Sequence, residues 1–132
     1  MGAVYSVELR LAYTDKAKAT EALASYVAGL LKKGVRFSES KDTSSIDSMM
    51  EMLLVESQGG YCRDEEDGYD TYSSGFTATY SWSEILDDMF EVLLPYLVDD
   101  CYYYQSCDSD YDEYTTKNRK KIILNSSWRN HE

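Results

Sequence analysis

"VYSVELRLAYT", residues 4–14, alternates cleanly: Tyr5, Val7, Leu9, Leu11 and Tyr13 fall on one side, with Ser6, Glu8, Arg10 and Ala12 on the other. A period of two marks a β-strand with one buried face. Amphipathic strands of this kind belong to antiparallel sheets, since parallel strands are covered on both faces and read as continuous apolar runs. The next stretch, "TDKAKATEALASYVAGLLKKG" (residues 14–34), changes period. Ala19, Leu23, Tyr26, Val27, Leu30 and Leu31 recur at helical spacing, Thr14 or Asp15 can cap, and Lys32 and Lys33 precede Gly34. Basic residues in a last turn followed by glycine are what the helix dipole and the C-cap favour.

The same reading carries along the chain. "VRFSES" (35–40) is expected as a short strand with Val35 and Phe37 inward, and "SSIDSMMEMLLVES" (44–57) as a helix with the stripe Ile46, Met49, Met50, Leu53 and Leu54. A methionine stripe can be a binding face, but at this spacing it is more often core. "QGGYCRDEEDGYD" (58–70) reads as an exposed loop, broken by three glycines and six charges. "TYSSGFTATYSW" (71–82) resumes strand character with Phe76, Ala78, Tyr80 and Trp82 on one side. Ser81 and Glu84 make a capping box for "EILDDMFEVLLPYL" (84–97), a helix with Glu84, Asp87, Asp88 and Glu91 outward and Pro95 bending or ending its last turn. Cys101 to Cys107 alternates as a strand, and residues 111–124 read as a hairpin turning at Asn118. The expectation is a two-layer α+β sandwich in a single domain over residues 1–124. Its sheet is mostly antiparallel, with about five to six strands and about three helices on one side, and 125–132 form a polar tail.

Composition narrows the chemistry. No apolar run is long enough to span a bilayer, and no start of the charged-then-apolar kind reads as a signal peptide, which places the chain in the cytoplasm. Cys62, Cys101 and Cys107 are odd in number and fit free thiols in a reducing compartment. "MGAVYS" satisfies a loose myristoylation pattern, but the same residues enter the first strand. The one histidine is His131, second from the end, so a Cys/His or Ser/His site built on it is disfavoured. There is no phosphate-cradling glycine motif, and no cofactor is expected. "DSDYDE" places Asp108, Asp110 and Asp112 as the first, third and fifth ligands of a calcium loop. The sixth position is then Glu113 and the twelfth Arg119, where glycine and a carboxylate are required.

Charge is the unusual feature. The 24 acids and 13 basic residues leave a formal −11. Residues 57–116 hold fifteen acids against Arg63 alone, and ten of the thirteen tyrosines. Within them, "DDCYYYQSCDSDYDEYTT" (99–116) carries six acids, five tyrosines and no basic residue. Such a surface repels a duplex or an anionic membrane and attracts a basic protein groove. In a strand Asp108, Asp110 and Asp112 would form a line of charge about 6.6 Å apart, with Glu113 on the other side. Tyrosine beside carboxylates suits a protein interface. The basic run "KNRKK" (117–121) is expected to pair internally with the acidic strand.

A small, acidic, tyrosine-rich α+β chain without catalytic residues resembles the phage and mobile-element inhibitors of host defence, especially anti-CRISPR proteins. The stretches that carry the resemblance are "RDEEDGYD", "EILDDMFE" and "DSDYDE". It implies a non-enzymatic inhibitor in the host-cell cytoplasm that mimics nucleic acid and occupies a nuclease or CRISPR effector, with no direct contact to nucleic acid. The expected contact residues are Asp64, Glu65, Glu66, Asp67, Asp70, Asp87, Asp88, Glu91, Tyr103, Asp108, Asp110, Tyr111, Asp112 and Glu113. Two alternatives stand beside it: a self-associating domain, a homodimer through the methionine helix 46–54, or a divalent-metal protein using the aspartates.

Overall fold

The computed structural model describes residues 2–38, 42–54 and 60–127. The chain runs β1 (Ala3–Leu11), α1 (Lys16–Lys32), α2 (Ile46–Leu53), β2 (Gly60–Glu66), β3 (Tyr69–Ala78) and α3 (Trp82–Leu93). A short 3-10 turn at Leu94–Tyr96 follows, then β4 (Tyr102–Cys107), β5 (Asp110–Lys117) and β6 (Lys120–Ser126). The six strands form one sheet in the order β2-β3-β1-β4-β5-β6, every neighbour antiparallel. This is the α+β architecture that the alternation of β1 implies. No helix is long and apolar enough to cross a membrane among the described residues.

β1 lies inside the sheet, between β3 and β4, and is covered on one face only. Ala3, Tyr5, Val7, Leu9 and Leu11 are buried, while Val4, Ser6 and Glu8 are exposed. The buried row meets Leu23, Val27 and Leu30 of α1, Met49, Met50 and Leu53 of α2, and Leu86, Met89, Phe90 and Leu93 of α3 in a single cluster. The methionines of α2 therefore belong to the core, with Met49 and Met50 fully buried, and do not form an exposed seam for a second copy. Asp15 caps α1 by accepting from the Lys18 N–H, and Gly34, at φ 91°, follows its end as the left-handed position requires.

Several local expectations are corrected. "RDEEDGYD" is not a loop but the tip of the β2–β3 hairpin, with Asp67 and Gly68 at φ 54° and 82° in the turn. Asp-Gly between two strands is a strong hairpin signal, since both turn residues need positive φ. Residues 35–38 form no strand, and 39–40 lie outside the described residues. Phe37 still reaches the core, packing edge-on against Trp82 at 5.9 Å, but it does so from a coil on the helix side of the sheet. Trp82 opens α3 instead of closing a strand, and its indole N–H donates to the Leu53 carbonyl at 2.9 Å. Tyr80 is exposed. Ser81 makes no side-chain cap, and its hydroxyl pairs with that of Thr79 at 2.9 Å. Pro95 sits where α3 gives way to the 3-10 turn. β6 runs past Leu124 to Ser126, and Ser126 and Ser127 are buried, so the expected polar tail begins inside the sheet. Trp128 and His131 lie outside the described residues.

Candidate functional site

The β4–β5 hairpin turns at Asp108 and Ser109, and a single carboxylate fixes it. Asp108 stands at φ 55°, and its Oδ1 accepts the Val4 N–H at 2.9 Å while Oδ2 accepts the Tyr80 hydroxyl at 2.9 Å. Its own N–H donates to the Val4 carbonyl at 2.8 Å. The bond from the Val4 N–H, helped by Tyr80, holds this carboxyl below its ordinary range. Asp108 is therefore in the turn, tying the hairpin to β1 and to the segment before α3, and is not the first member of a strand row.

Asp110 and Asp112 then alternate on β5 opposite Cys107 and Gln105, which places both on the helix side of the sheet. The Ser127 hydroxyl donates to Asp110 at 3.4 Å, and the Ser126 hydroxyl to Asp112 at 2.5 Å. Above them stands Asp87 of α3. Sequence periodicity assigns Asp87 to the outer face, but it turns toward the sheet and is half-buried. Its Oδ1 accepts the Tyr103 hydroxyl at 2.8 Å and the Gln105 amide at 3.1 Å. Burial raises the Asp87 pKa, the bond from Tyr103 and the charge of Lys121 oppose that rise, and Asp112 and Asp88 add to it.

Asp87, Asp108, Asp110 and Asp112 thus line one cleft of about 450 Å³, with Tyr80 at its edge. Among the described residues no lysine or arginine lines it. The nearby Lys121 is taken by Glu91 at 3.0 Å and lies over the Tyr114 ring at 4.5 Å. Within the basic run Lys121 therefore pairs with α3, while Lys117, Arg119 and Lys120 are exposed. Among the described residues no group of three or more His, Cys, Asp or Glu side chains is disposed to hold a metal ion. Each of the four aspartates is instead engaged by its own hydroxyl, amide or backbone donor.

The remaining expected contact residues are dispersed. Glu113 faces the open side of the sheet, where it accepts the Tyr102 hydroxyl beside Tyr104. Burial, then that bond, pushes the Tyr102 hydroxyl pKa up. Tyr111 is also on the open face, its ring 6.2 Å from Tyr104. Asp88 is exposed on α3. Tyr103 offers nothing to a partner: it is 0% exposed and stacked on Phe90 and Tyr114 at 4.8 and 5.9 Å.

Asp64, Glu65, Glu66 and Asp67 lie at the opposite end of the sheet. Asp70 pairs with Leu11 at one end of β1 and Asp108 bonds Val4 near the other, seven residues and roughly 23 Å away. Asp70 itself is buried and locked. It accepts from Arg63 at 2.9 Å and from Lys16 at 3.2 Å, and Arg63 also meets Asp47 at 3.3 Å. Tyr72 donates to the same Asp47 oxygen at 2.6 Å. Asp70 is therefore a structural ion, not a contact. Two cleft features escaped the sequence reading. Tyr80 was placed inward by a strand pattern that ends at Ala78, and Gln105 carries no charge to attract notice.

The chain matches no family model, no curated protein and no solved structure. The cleft must be read from its own chemistry: a concave wall of polar groups and hydrogen-bonded aspartates with an aromatic rim.

Asp87 gives a test of that electrostatics. A carboxyl with a raised folded pKa is worth most to the fold below its ordinary value of 3.8, and its contribution falls as pH rises through the raised value. Asp87→Asn keeps an acceptor for Tyr103 and removes the charge. It should be more stable than the parent at neutral pH by under about 1 kcal/mol, since the group stays partly hydrated. The difference should vanish near pH 4 in urea melts. A variant that is less stable than the parent at neutral pH and matches it near pH 4 would show that the ionised form is needed.

Proposed function

We propose that this protein acts by binding and not by catalysis, presenting its acidic cleft to a basic protein that handles nucleic acid. A CRISPR effector nuclease is the partner that the anti-CRISPR resemblance implies. The observation that carries the proposal is the convergence of Asp87 with Asp108, Asp110 and Asp112 in one cleft that no lysine or arginine lines among the described residues. Two segments separated by a turn and a strand contribute to it, so the charge is concentrated in space as well as along the chain. Carboxylates fixed by hydrogen bonds lose little freedom when they meet lysine or arginine, which favours tight pairing. Such a wall steers association with a basic groove and competes there with phosphates.

The test is competition. The full chain is immobilised and titrated with a panel of purified nucleases and guide-loaded effectors, with and without their target DNA. Binding should be blocked by DNA and weakened by salt, because screening acts on exposed charges. The pair Asp110→Asn and Asp112→Asn keeps acceptors for Ser127 and Ser126 and removes two charges. It should weaken binding by roughly a hundredfold, since charge pairs at protein interfaces are each worth above about 1.5 kcal/mol. Undiminished affinity in that variant, or binding indifferent to DNA, sinks the proposal.

A further inference from the structure

The sheet ends in two very different edges. β2 closes one side with Arg63, Asp64, Glu65 and Glu66, all exposed, which is how edge strands are kept from pairing. β6 closes the other with Ile122, Ile123 and Leu124, exposed by 41%, 38% and 49%. Three of the six exposed large apolar residues among those described are thus consecutive on one edge strand. A register shift between Glu113 and Tyr114 marks a bulge in the β5–β6 pair, and Lys120–Ile123 precede it as a regular stretch of edge.

The charge around β6 is polarised along its length. At its start the turn residues Asn118 and Arg119 have φ 53° and 61°, and Lys117, Arg119 and Lys120 are exposed. At its end Asn125 lies opposite Glu113 of the neighbouring strand, on the open face that Lys117 and Lys120 share. When two such strands pair antiparallel, the basic start of each lies beside the acidic end of the other. The apolar triplets then meet in the middle. We propose that β6 is a self-association edge, where a second copy of this chain adds its own β6 antiparallel across a two-fold axis.

The pairing is self-complementary, as a closed symmetric dimer requires. It satisfies outward backbone groups of the edge with strand hydrogen bonds, covers Ile122, Ile123 and Leu124, and keeps the helices of both copies on the same side of one continuous sheet. The two acidic clefts then flank the axis. This does not depend on what occupies the cleft, and its test involves no other protein.

Sedimentation velocity over a range of concentrations should show the full chain as a monomer–dimer equilibrium that weakens with salt. Ile123→Lys and, separately, Lys120→Glu should each weaken the dimer by at least about tenfold, equal to about 1.4 kcal/mol. Both positions are exposed, so far-UV circular dichroism should match the parent, as should melting at concentrations low enough that the parent is monomeric. Hydrogen exchange gives a reading that needs no variant: amide protection on β6 should rise with protein concentration, and that on β2 should not. A chain that stays monomeric throughout, a dimer that survives both substitutions, or protection that rises on β2 instead overturns the proposal.

Discussion

Tyr103→Ala is expected to lose about 3–5 kcal/mol of stability, the range for removing a large buried aromatic side chain. The ring is fully buried between Phe90 at 4.8 Å and Tyr114 at 5.9 Å, so no neighbour can collapse into the space without breaking a stack. Its hydroxyl also donates to Asp87 and accepts from Gln105 at 2.7 Å. Against a typical domain stability of about 5–15 kcal/mol, the variant would sit near the edge of folding. Urea denaturation decides the matter, and Tyr103→Phe separates the two contributions. The phenylalanine keeps the stack and loses only the hydroxyl, which should cost about 1–2 kcal/mol because Asp87 and Gln105 lose a shared partner. If alanine and phenylalanine cost the same, the ring is not the keystone that its packing suggests. Any loss of partner binding in the alanine variant would then trace to the fold, since the ring exposes no surface.

The second large effect is expected at the opposite end of the sheet. Arg63→Ala should cost about 2–4 kcal/mol, toward the lower end of the range for breaking a buried ion pair because Arg63 is itself about a third exposed. The reason lies with the partner left behind. The Asp70 side chain is only 10% exposed, and its remaining cation, Lys16, is 55% exposed and screened by solvent. Asp47 would also lose Arg63 while still accepting from Tyr72. The double variant Arg63→Met with Asp70→Asn removes both charges and should recover most of the loss, as replacing a whole buried pair often does. A double-mutant cycle measures the coupling, and additive losses would mean that the two side chains act independently. The Tyr13 hydroxyl nearby has no hydrogen-bond partner among the described residues, and burial followed by the charge of Asp70 raises its pKa. That corner is therefore polar, crowded and sensitive to any change in its charge count.

These two effects bear on how a strongly acidic chain folds. The acids that help hold the structure are the ones given a donor: Asp70 by Arg63 and Lys16, Asp108 by Val4 and Tyr80, and Asp87 by Tyr103 and Gln105. Glu66 and Asp88 lie at the surface, where water solvates them. Net charge alone cannot separate these groups, because a carboxylate behaves according to its burial and its partners.

Sequence by itself determined the architecture. The strict alternation of residues 4–14, the helical spacing of Leu23, Val27 and Leu30, and the apolar face of α3 are local periodicities, and a one-residue slip would turn each strand inside out. It also located the excess charge and the β5–β6 hairpin. Tertiary structure decided where that charge points. Asp87 was assigned outward because its apolar neighbours face the core, yet a helix packed at the side of a sheet has a flank that is neither core nor solvent. Tyr102, Tyr103 and Tyr104 look equivalent in sequence, but pairing with Leu9 puts only Tyr103 inside. Asp64–Asp67 and Asp108–Asp112 look like one acidic property, and the register of β1 places them at opposite ends. Such facts depend on which strand neighbours which, and antiparallel pairing between distant segments leaves no local trace in the chain.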